Sequence, residues 1–203
     1  NRRGTTQRFH PDPEIFHEHT FSPARLFKMT RSKAYLFGGV EIRWSCDESL
    51  ATADVPAKAT FHFPGGLKDF LANRIEGEPR ITEDIFSGIV GKPGTHGAVE
   101  WAIAWCLGDG FLNSYCNTIP TAEGGTHEQG LRVALLRGLR SYGELTGNKR
   151  AAQITADDVL VQCSAMLSVF VREPEFVGQT KDKLSSAEAT RIVDNALRDA
   201  FDH

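Results

Sequence analysis

Apolar residues recur along this chain with two different periods, and the points where the period changes divide it into elements. Ser22 and Pro23 suit the N-cap and first turn of a helix that carries Leu26, Phe27, Thr30, Ala34 and Phe37 on one side and stops at Gly38 and Gly39. Val40, Ile42 and Trp44 then alternate with Glu41, Arg43 and Ser45, the period of a half-buried strand. A second strand is expected over residues 59–63, beyond a polar loop at 47–58. Past Pro64, Gly65 and Gly66, helical spacing returns with Leu67, Phe70, Leu71 and Ile75. Upstream, residues 2–12 read as a strand that leaves its sheet at His10, Pro11, Asp12 and Pro13.

In the second half, the apolar runs 99–107 and 111–118 are separated by Gly108, Asp109 and Gly110, which predicts a hairpin with Trp101, Ile103 and Trp105 on one face. Residues 126–129 fit a capping box opening a helix whose buried stripe is Leu131, Leu135, Leu139 and Tyr142. Arg132, Arg137 and Arg140 fall on a different arc. The polar stretch 146–155 leads to a short helix and a strand at 165–171, ended by Pro174. Residues 185–188 form a second capping box before a helix with Ile192, Val193, Ala196, Leu197, Ala200 and Phe201 on its apolar face. On that helix Glu188 with Arg191, and Asp194 with Arg198, are spaced for surface pairs.

Composition narrows the classes. The 203 residues are 40% hydrophobic and 24% charged, which is ordinary for a globular protein. No apolar run approaches the ~18 to 20 residues of a membrane-spanning helix. A net charge of -3 argues against a domain whose main task is coating nucleic acid, though a local basic surface remains open. Cys46, Cys106, Cys116 and Cys163 are widely spaced with no C-x-x-C pair, which signals neither a zinc site nor a disulfide framework and fits reduced, mostly buried thiols in the cytoplasm. The chain opens at Asn1 rather than Met and stops at His203 while a helical pattern is running, so it reads as a piece of something longer.

Gly178, Gln179, Thr180 and Lys181 are the first candidates for chemistry. A lysine in a short polar loop between a core strand and a helix is placed to meet an anion, because its ammonium is a compact charge that phosphate oxygens accept from. Taken alone, such a lysine is more often simply solvated. His17 and His19 would be half of a metal site, but with no further ligands nearby they read as an exposed loop. His127 beside Glu128 reads as structure rather than catalysis, and Ser114, Ser164 and Ser168 lie in strand patterns without a G-x-S-x-G elbow.

Two separate motifs carry a resemblance. Asn117, Thr118, Ile119 and Pro120 with the run 123–130 (Glu-Gly-Gly-Thr-His-Glu-Gln-Gly), and later 179–184 (Gln-Thr-Lys-Asp-Lys-Leu), resemble the B subunit of bacterial type IIA topoisomerases, the topoisomerase IV branch more than the gyrase branch. Residues 9–16 and 32–44 are in the same style. The resemblance implies an α+β protein: the tail of a GHKL-type ATPase module and its connection over 1–80, then a transducer domain of ribosomal protein S5 domain 2-like fold over 81–203. It implies that Gln179 and Lys181 contact the γ-phosphate of ATP, and that Thr5, after Gly4, lines the adenine side of the pocket. Gln7 departs from the apolar residue the family pattern suggests on that strand. The arginine arc is an exposed helix face or, by the same resemblance, a surface that meets passing DNA.

The resemblance further implies partners outside this segment: DNA, an A-type topoisomerase subunit, and a second B-type subunit in an ATP-dependent dimer. The water-activating Glu, the Mg2+-holding Asn and the adenine-reading Asp of the family match nothing here, so the segment alone is expected neither to bind ATP well nor to hydrolyse it. Two other readings stay open, a self-sufficient phosphotransferase, weakened by the lack of a phosphate loop of P-loop type, and a DNA-clamp or subunit-docking domain in which Lys181 is incidental.

Overall fold

A computed structural model describes residues 4–17 and 20–201. The elements run, in chain order, α1 (Pro13–Phe16), α2 (Pro23–Leu36), β1 (Glu41–Ser45), β2 (Lys58–His62), α3 (Leu67–Arg74), β3 (Phe86–Val90), β4 (Val99–Trp105), β5 (Phe111–Cys116), β6 (Ile119–Pro120), α4 (Thr126–Leu145), α5 (Ala156–Leu160), β7 (Cys163–Val169), β8 (Phe176–Val177), β9 (Lys183–Leu184) and α6 (Ala187–Phe201).

A mixed five-stranded sheet in the order β3-β4-β7-β5-β6 organises the molecule. Its strands alternate sides, so each face has its own core. Val99, Trp101 and Ile103 of β4 and Ala165, Leu167 and Val169 of β7 face α4 and α6, where they meet Leu131, Leu135, Val193 and Leu197. Ala102, Ala104 and Met166 face the other way, onto Leu67, Leu71 and Ile75 of the α3 region. Complete burial of a leucine such as Leu67 or Leu71 contributes roughly 1.5 to 3 kcal/mol, which fastens α3 to the sheet.

A carboxylate reinforces that fastening. Gly66 at the N-cap of α3 has no side chain to offer, and Glu100 of β4 accepts the Leu67 amide at 2.7 Å instead. Burial pushes the Glu100 carboxyl up, partly offset by this bond. The antiparallel β1-β2 ribbon packs on α2, and Tyr35 of α2 stacks between Phe63 and Phe70 at centroid distances of 3.7 and 4.2 Å. Ser22 caps α2 as the pattern predicts, accepting the Arg25 amide at 3.4 Å.

Several expectations are corrected. The 99–107 and 111–118 runs are strands, but they do not form a hairpin. β7 lies between them, antiparallel to β4 and parallel to β5; the Gly-Asp-Gly signal marks a local turn and cannot report a strand arriving about 50 residues later. Of the strand read over 2–12, residues 4–12 are irregular and exposed except for the half-buried Pro11, with no strand among the described residues to complete a ladder, and residues 2 and 3 lie outside the described part. Neither capping box forms as read. Gly125, not Thr126, is the N-cap of α4, and the Thr126 hydroxyl donates to the Ser186 carbonyl at 2.7 Å. The last helix starts at Ala187, with the Ser186 hydroxyl accepting the Glu175 amide at 2.8 Å.

Tyr142 is exposed rather than part of the buried stripe, which runs through Leu131, Ala134, Leu135 and Gly138 where α6 packs on α4. Asp194 pairs with Arg198 at 2.9 Å as spaced, whereas Glu188 turns to His96 at 4.0 Å instead of Arg191. The cysteines are free, and burial pushes the Cys116 and Cys163 thiols up to about 11 and about 12, leaving them un-ionised. Trp101 is core, 2% exposed. Among the described residues no helix is long and apolar enough to cross a membrane.

Candidate functional site

The strands β8 and β9 pair through Phe176 with Leu184 and Val177 with Lys183, leaving residues 178–182 as the loop at the ribbon's tip. Two left-handed residues turn the chain there, Gly178 at φ 79° and Lys181 at φ 60°. Glycine takes that conformation freely; a lysine pays about 1 to 2 kcal/mol for it, so the fold holds Lys181 in place against its own preference. Gln179 and Lys181 are both exposed, and their side chains form neither ion pair nor hydrogen bond among the described residues. The Lys181 ammonium lies 5.9 Å from the centre of the Phe176 ring, the outer edge of a cation–π contact.

The loop rests on a shelf at residues 121–125. The Glu123 amide donates to the Asp182 carbonyl at 2.8 Å, the Leu184 amide donates to the Gly124 carbonyl at 3.0 Å, and Gly125 bridges Leu184. At φ 141° Gly125 sits where a Cβ would meet the Leu184 backbone, so the close approach requires glycine. Across the ribbon the Ser185 amide donates to the Glu175 carbonyl at 2.8 Å. Lys181 is thus presented from a ribbon whose C-terminal limb is tied to the shelf and whose two limbs are tied to each other.

Beneath the shelf lies a buried polar group that sequence reasoning did not assemble. His127 Nε2 is 3.0 Å from Thr121 Oγ1, which is 2.6 Å from Ser114 Oγ, which donates to Glu128 Oε1 at 2.6 Å. Desolvation lowers the His127 pKa to about 4, so the ring is neutral. Burial raises that of Glu128, with the Ser114 bond and the nearby Arg132 charge opposing the rise. The available signal was a polar residue, Ser114, at a core-facing strand position, between Leu112 and Cys116.

The other candidate residues are not gathered at the loop. Thr5 is exposed in the irregular segment 4–12 and makes no side-chain hydrogen bond among the described residues. Each arginine of the arc has an internal acceptor: Arg137 pairs with Asp194 at 2.8 Å, Arg140 donates to the Ile154 carbonyl at 2.6 Å, and Arg132 reaches Asp157 at 3.6 Å. His17 follows α1, while His19 lies outside the described residues. Among the described residues no group of three or more His, Cys, Asp or Glu side chains could hold a metal ion.

A cleft of about 1280 Å³ opens between α2 and the β5-β6 edge, with Arg25, Lys28, Arg31, Lys33 and Arg74 on its wall and the shelf residues Thr121 and Ala122 at one end. Lys33 closes part of it by donating to the Thr118 carbonyl and hydroxyl at 2.7 and 2.6 Å, and its partial burial lowers the ammonium pKa. That bond ties α2 to the sheet directly.

Known proteins resemble this chain along its whole length. The B-type subunit of DNA topoisomerase 4 from Bartonella bacilliformis is 57% identical over 206 residues, covering 100% of this chain and 30% of that protein. The protein of the same name from Caulobacter vibrioides is 58% identical over 207 residues, covering 99% and 30%. The chain therefore spans about 30% of the length of these curated relatives. Among solved structures, the 43K ATPase domain of Thermus thermophilus gyrase B superposes with a TM-score of 0.76 at 30% identity, over 95% of this chain and 50% of that one. The topoisomerase IV ATP-binding domain of Francisella tularensis gives 0.71 at 28% identity, over 95% and 50%. The profile of the family described as DNA gyrase B matches residues 66–203. Motifs, fold and relatives agree, and the chain belongs to the DNA gyrase B family, the B-type subunits of bacterial type IIA topoisomerases, in the part that their ATPase-region structures cover.

Proposed function

We propose that this chain is the transducer segment of the B-type subunit in an ATP-dependent type IIA topoisomerase, and that Gln179 and Lys181 sense the γ-phosphate of ATP. The observation that carries the reading is Lys181 itself: an exposed ammonium with no carboxylate partner among the described residues, held in an unfavourable backbone conformation at the tip of a ribbon whose C-terminal limb is tied to the shelf. An exposed ammonium and a primary amide fit the chemistry of a phosphate oxygen, which accepts from both. When bound, the nucleotide supplies the terminal phosphoryl charge whose presence or loss the loop reads. Gln179 donates through its amide, Lys181 supplies the compact positive charge, and the frame carries the loop's displacement to the sheet and to α4.

Magnitudes assign the loop a part rather than the whole of the switch. A hydrogen bond to a charged group contributes roughly 1.5 to 3 kcal/mol, whereas swinging a two-state hinge from almost fully open to almost fully closed takes about 5.5 kcal/mol. Lys181 biases a closure that other parts of the complete protein mostly supply. The division into an ATPase-module tail over 1–80 and an S5 domain 2-like transducer over 81–203 belongs to this proposal, with Thr5 on the adenine side; the α3 packing and the Lys33 bond are what would couple the two parts. Magnesium, DNA, an A-type subunit, a second copy of the B-type subunit and a cytoplasmic setting complete it, with the magnesium ligand outside this segment. Of the three arginines, Arg132 is the one proposed to face DNA, since its link to the exposed Asp157 is the longest of the three.

Lys181→Glu in the complete protein tests the reading. Loss of ATP turnover and strand passage with folding intact supports it; unaltered turnover leaves a docking or clamp domain in its place. Nucleotide turnover by the segment alone would point to a self-sufficient enzyme instead.

A further inference from the structure

We propose that His127, Thr121, Ser114 and Glu128 form a one-way buried hydrogen-bond relay that fixes the shelf 121–125, which makes them positioning residues for the Lys181 loop. The four come from three elements: Ser114 from β5, Thr121 from the strap after β6, and His127 and Glu128 from the first turn of α4. His127, Thr121 and Ser114 are 0%, 3% and 4% exposed, so bulk solvent does not reach them.

Counting protons sets the direction. A hydroxyl has one hydrogen to give. Ser114 gives its own to Glu128 Oε1, so the 2.6 Å contact between Ser114 and Thr121 must use the Thr121 hydrogen. Thr121 then has only lone pairs left for His127, and the 3.0 Å contact requires a hydrogen on His127 Nε2. Nδ1 is left as a bare lone pair, and it is the ring nitrogen with no partner among the described residues. The relay runs from imidazole through two hydroxyls to a carboxylate, and its direction is fixed at the imidazole end: if Nε2 accepted from Thr121 instead, the ring hydrogen would sit on the partnerless, buried Nδ1.

The shelf hangs on this relay. The Thr121 amide donates to the Ser114 carbonyl and the Gly124 amide to the Thr121 carbonyl, both at 2.9 Å, while the Glu128 carboxylate lies against Gly124. Glu123 and Gly124 then make the two bonds that hold Asp182 and Leu184. Loosening Thr121 therefore loosens the C-terminal limb of the loop that carries Lys181.

The functional half of this assignment rests on the phosphate-sensing reading, and the test separates the two. In the complete protein, Thr121→Val keeps the side chain's shape and removes its hydroxyl. Amide hydrogen exchange at Glu123 and Leu184 is expected to accelerate about tenfold, while Ile103 in the sheet centre is unchanged and Thr121→Ser restores the parent rates. A nitrogen NMR spectrum of the unaltered protein is expected to show the Nε2–H tautomer at His127. Turnover of ATP should fall in Thr121→Val, and the double variant with Lys181→Ala should fall no lower than Lys181→Ala alone. Unchanged exchange at Glu123 and Leu184, or an Nδ1–H tautomer, overturns the relay. Full turnover in Lys181→Ala alone, with exchange still accelerated by Thr121→Val, overturns the phosphate reading and leaves the relay standing.

Discussion

Two of the turns that hold non-glycine residues at positive φ, the β5-β6 turn and the 178–182 loop, are used in opposite ways. At the β5-β6 turn, Asn117 and Thr118 have φ 49° and 66°. Their polar groups are consumed locally: the Asn117 amide donates to the Val171 carbonyl at 2.7 Å and accepts the Val171 amide at 2.9 Å, and Lys33 takes both oxygens of Thr118. At the 178–182 loop, Lys181 bears the same backbone cost with its charged end left over. Where strain serves the fold, side chains close on their own neighbours; where the frame alone sustains it, the side chain is kept for something else.

The largest effect expected is in Lys181→Glu of the complete protein. It removes an attraction and adds a repulsion, so ATP turnover should drop roughly a thousandfold with the unfolding transition unmoved. An equal loss of stability would make this turn a structural one like the other, and break the comparison.

Second comes the pH dependence of the shelf. The folded pKa of His127 lies at about 4, below its ordinary value of 6.5. Between those values the unfolded chain binds a proton that the folded chain does not, so stability is complete above 6.5 and is lost as pH falls toward 4, by about 3 kcal/mol at most. The raised carboxyls of Glu100 and Glu128 have the opposite sign, since there the folded state holds the proton as pH rises past 4.5. The measurement is therefore the difference between the parent and His127→Gln in denaturant titrations across this range, and the variant's curve should rise less steeply with pH.

Asn117→Ala, by contrast, is expected to cost about 2 kcal/mol of stability at every pH, because it leaves two backbone groups of Val171 without partners. The smallest effect sharpens the contrast most. Lys181→Gly relieves the left-handed strain but frees the unfolded chain, so stability should change by less than about 1 kcal/mol, while turnover falls with the missing ammonium.

Elements whose packing partners lie nearby in sequence were legible. The capped helix at Pro23–Leu36 and the ribbon Glu41–Ser45 with Lys58–His62 form from neighbouring segments. Long-range decisions were not. The position of β7 between β4 and β5 depends on a segment about 50 residues away, and β3 at Phe86–Val90 carries Ser87 and Gly88 on an edge, a weak pattern that only the Trp101 ring packed over Gly88 explains. The loop at Lys181 stood out because charge and turn residues are local. Its support did not, because Ser114, Thr121, His127 and Glu128 meet only after the sheet and α4 are in place, and each alone reads as a cap, a turn or a strand residue.

The inserted strand also orders events during synthesis. β3 and β4 can pair as soon as both have left the ribosome, but β5 has no ladder partner besides the two residues of β6 until Cys163–Val169 emerges. For that interval the growing polypeptide carries two open edges, one on each side of the gap that β7 will fill, and it is then that chaperone capture or mispairing with another nascent copy competes with closure.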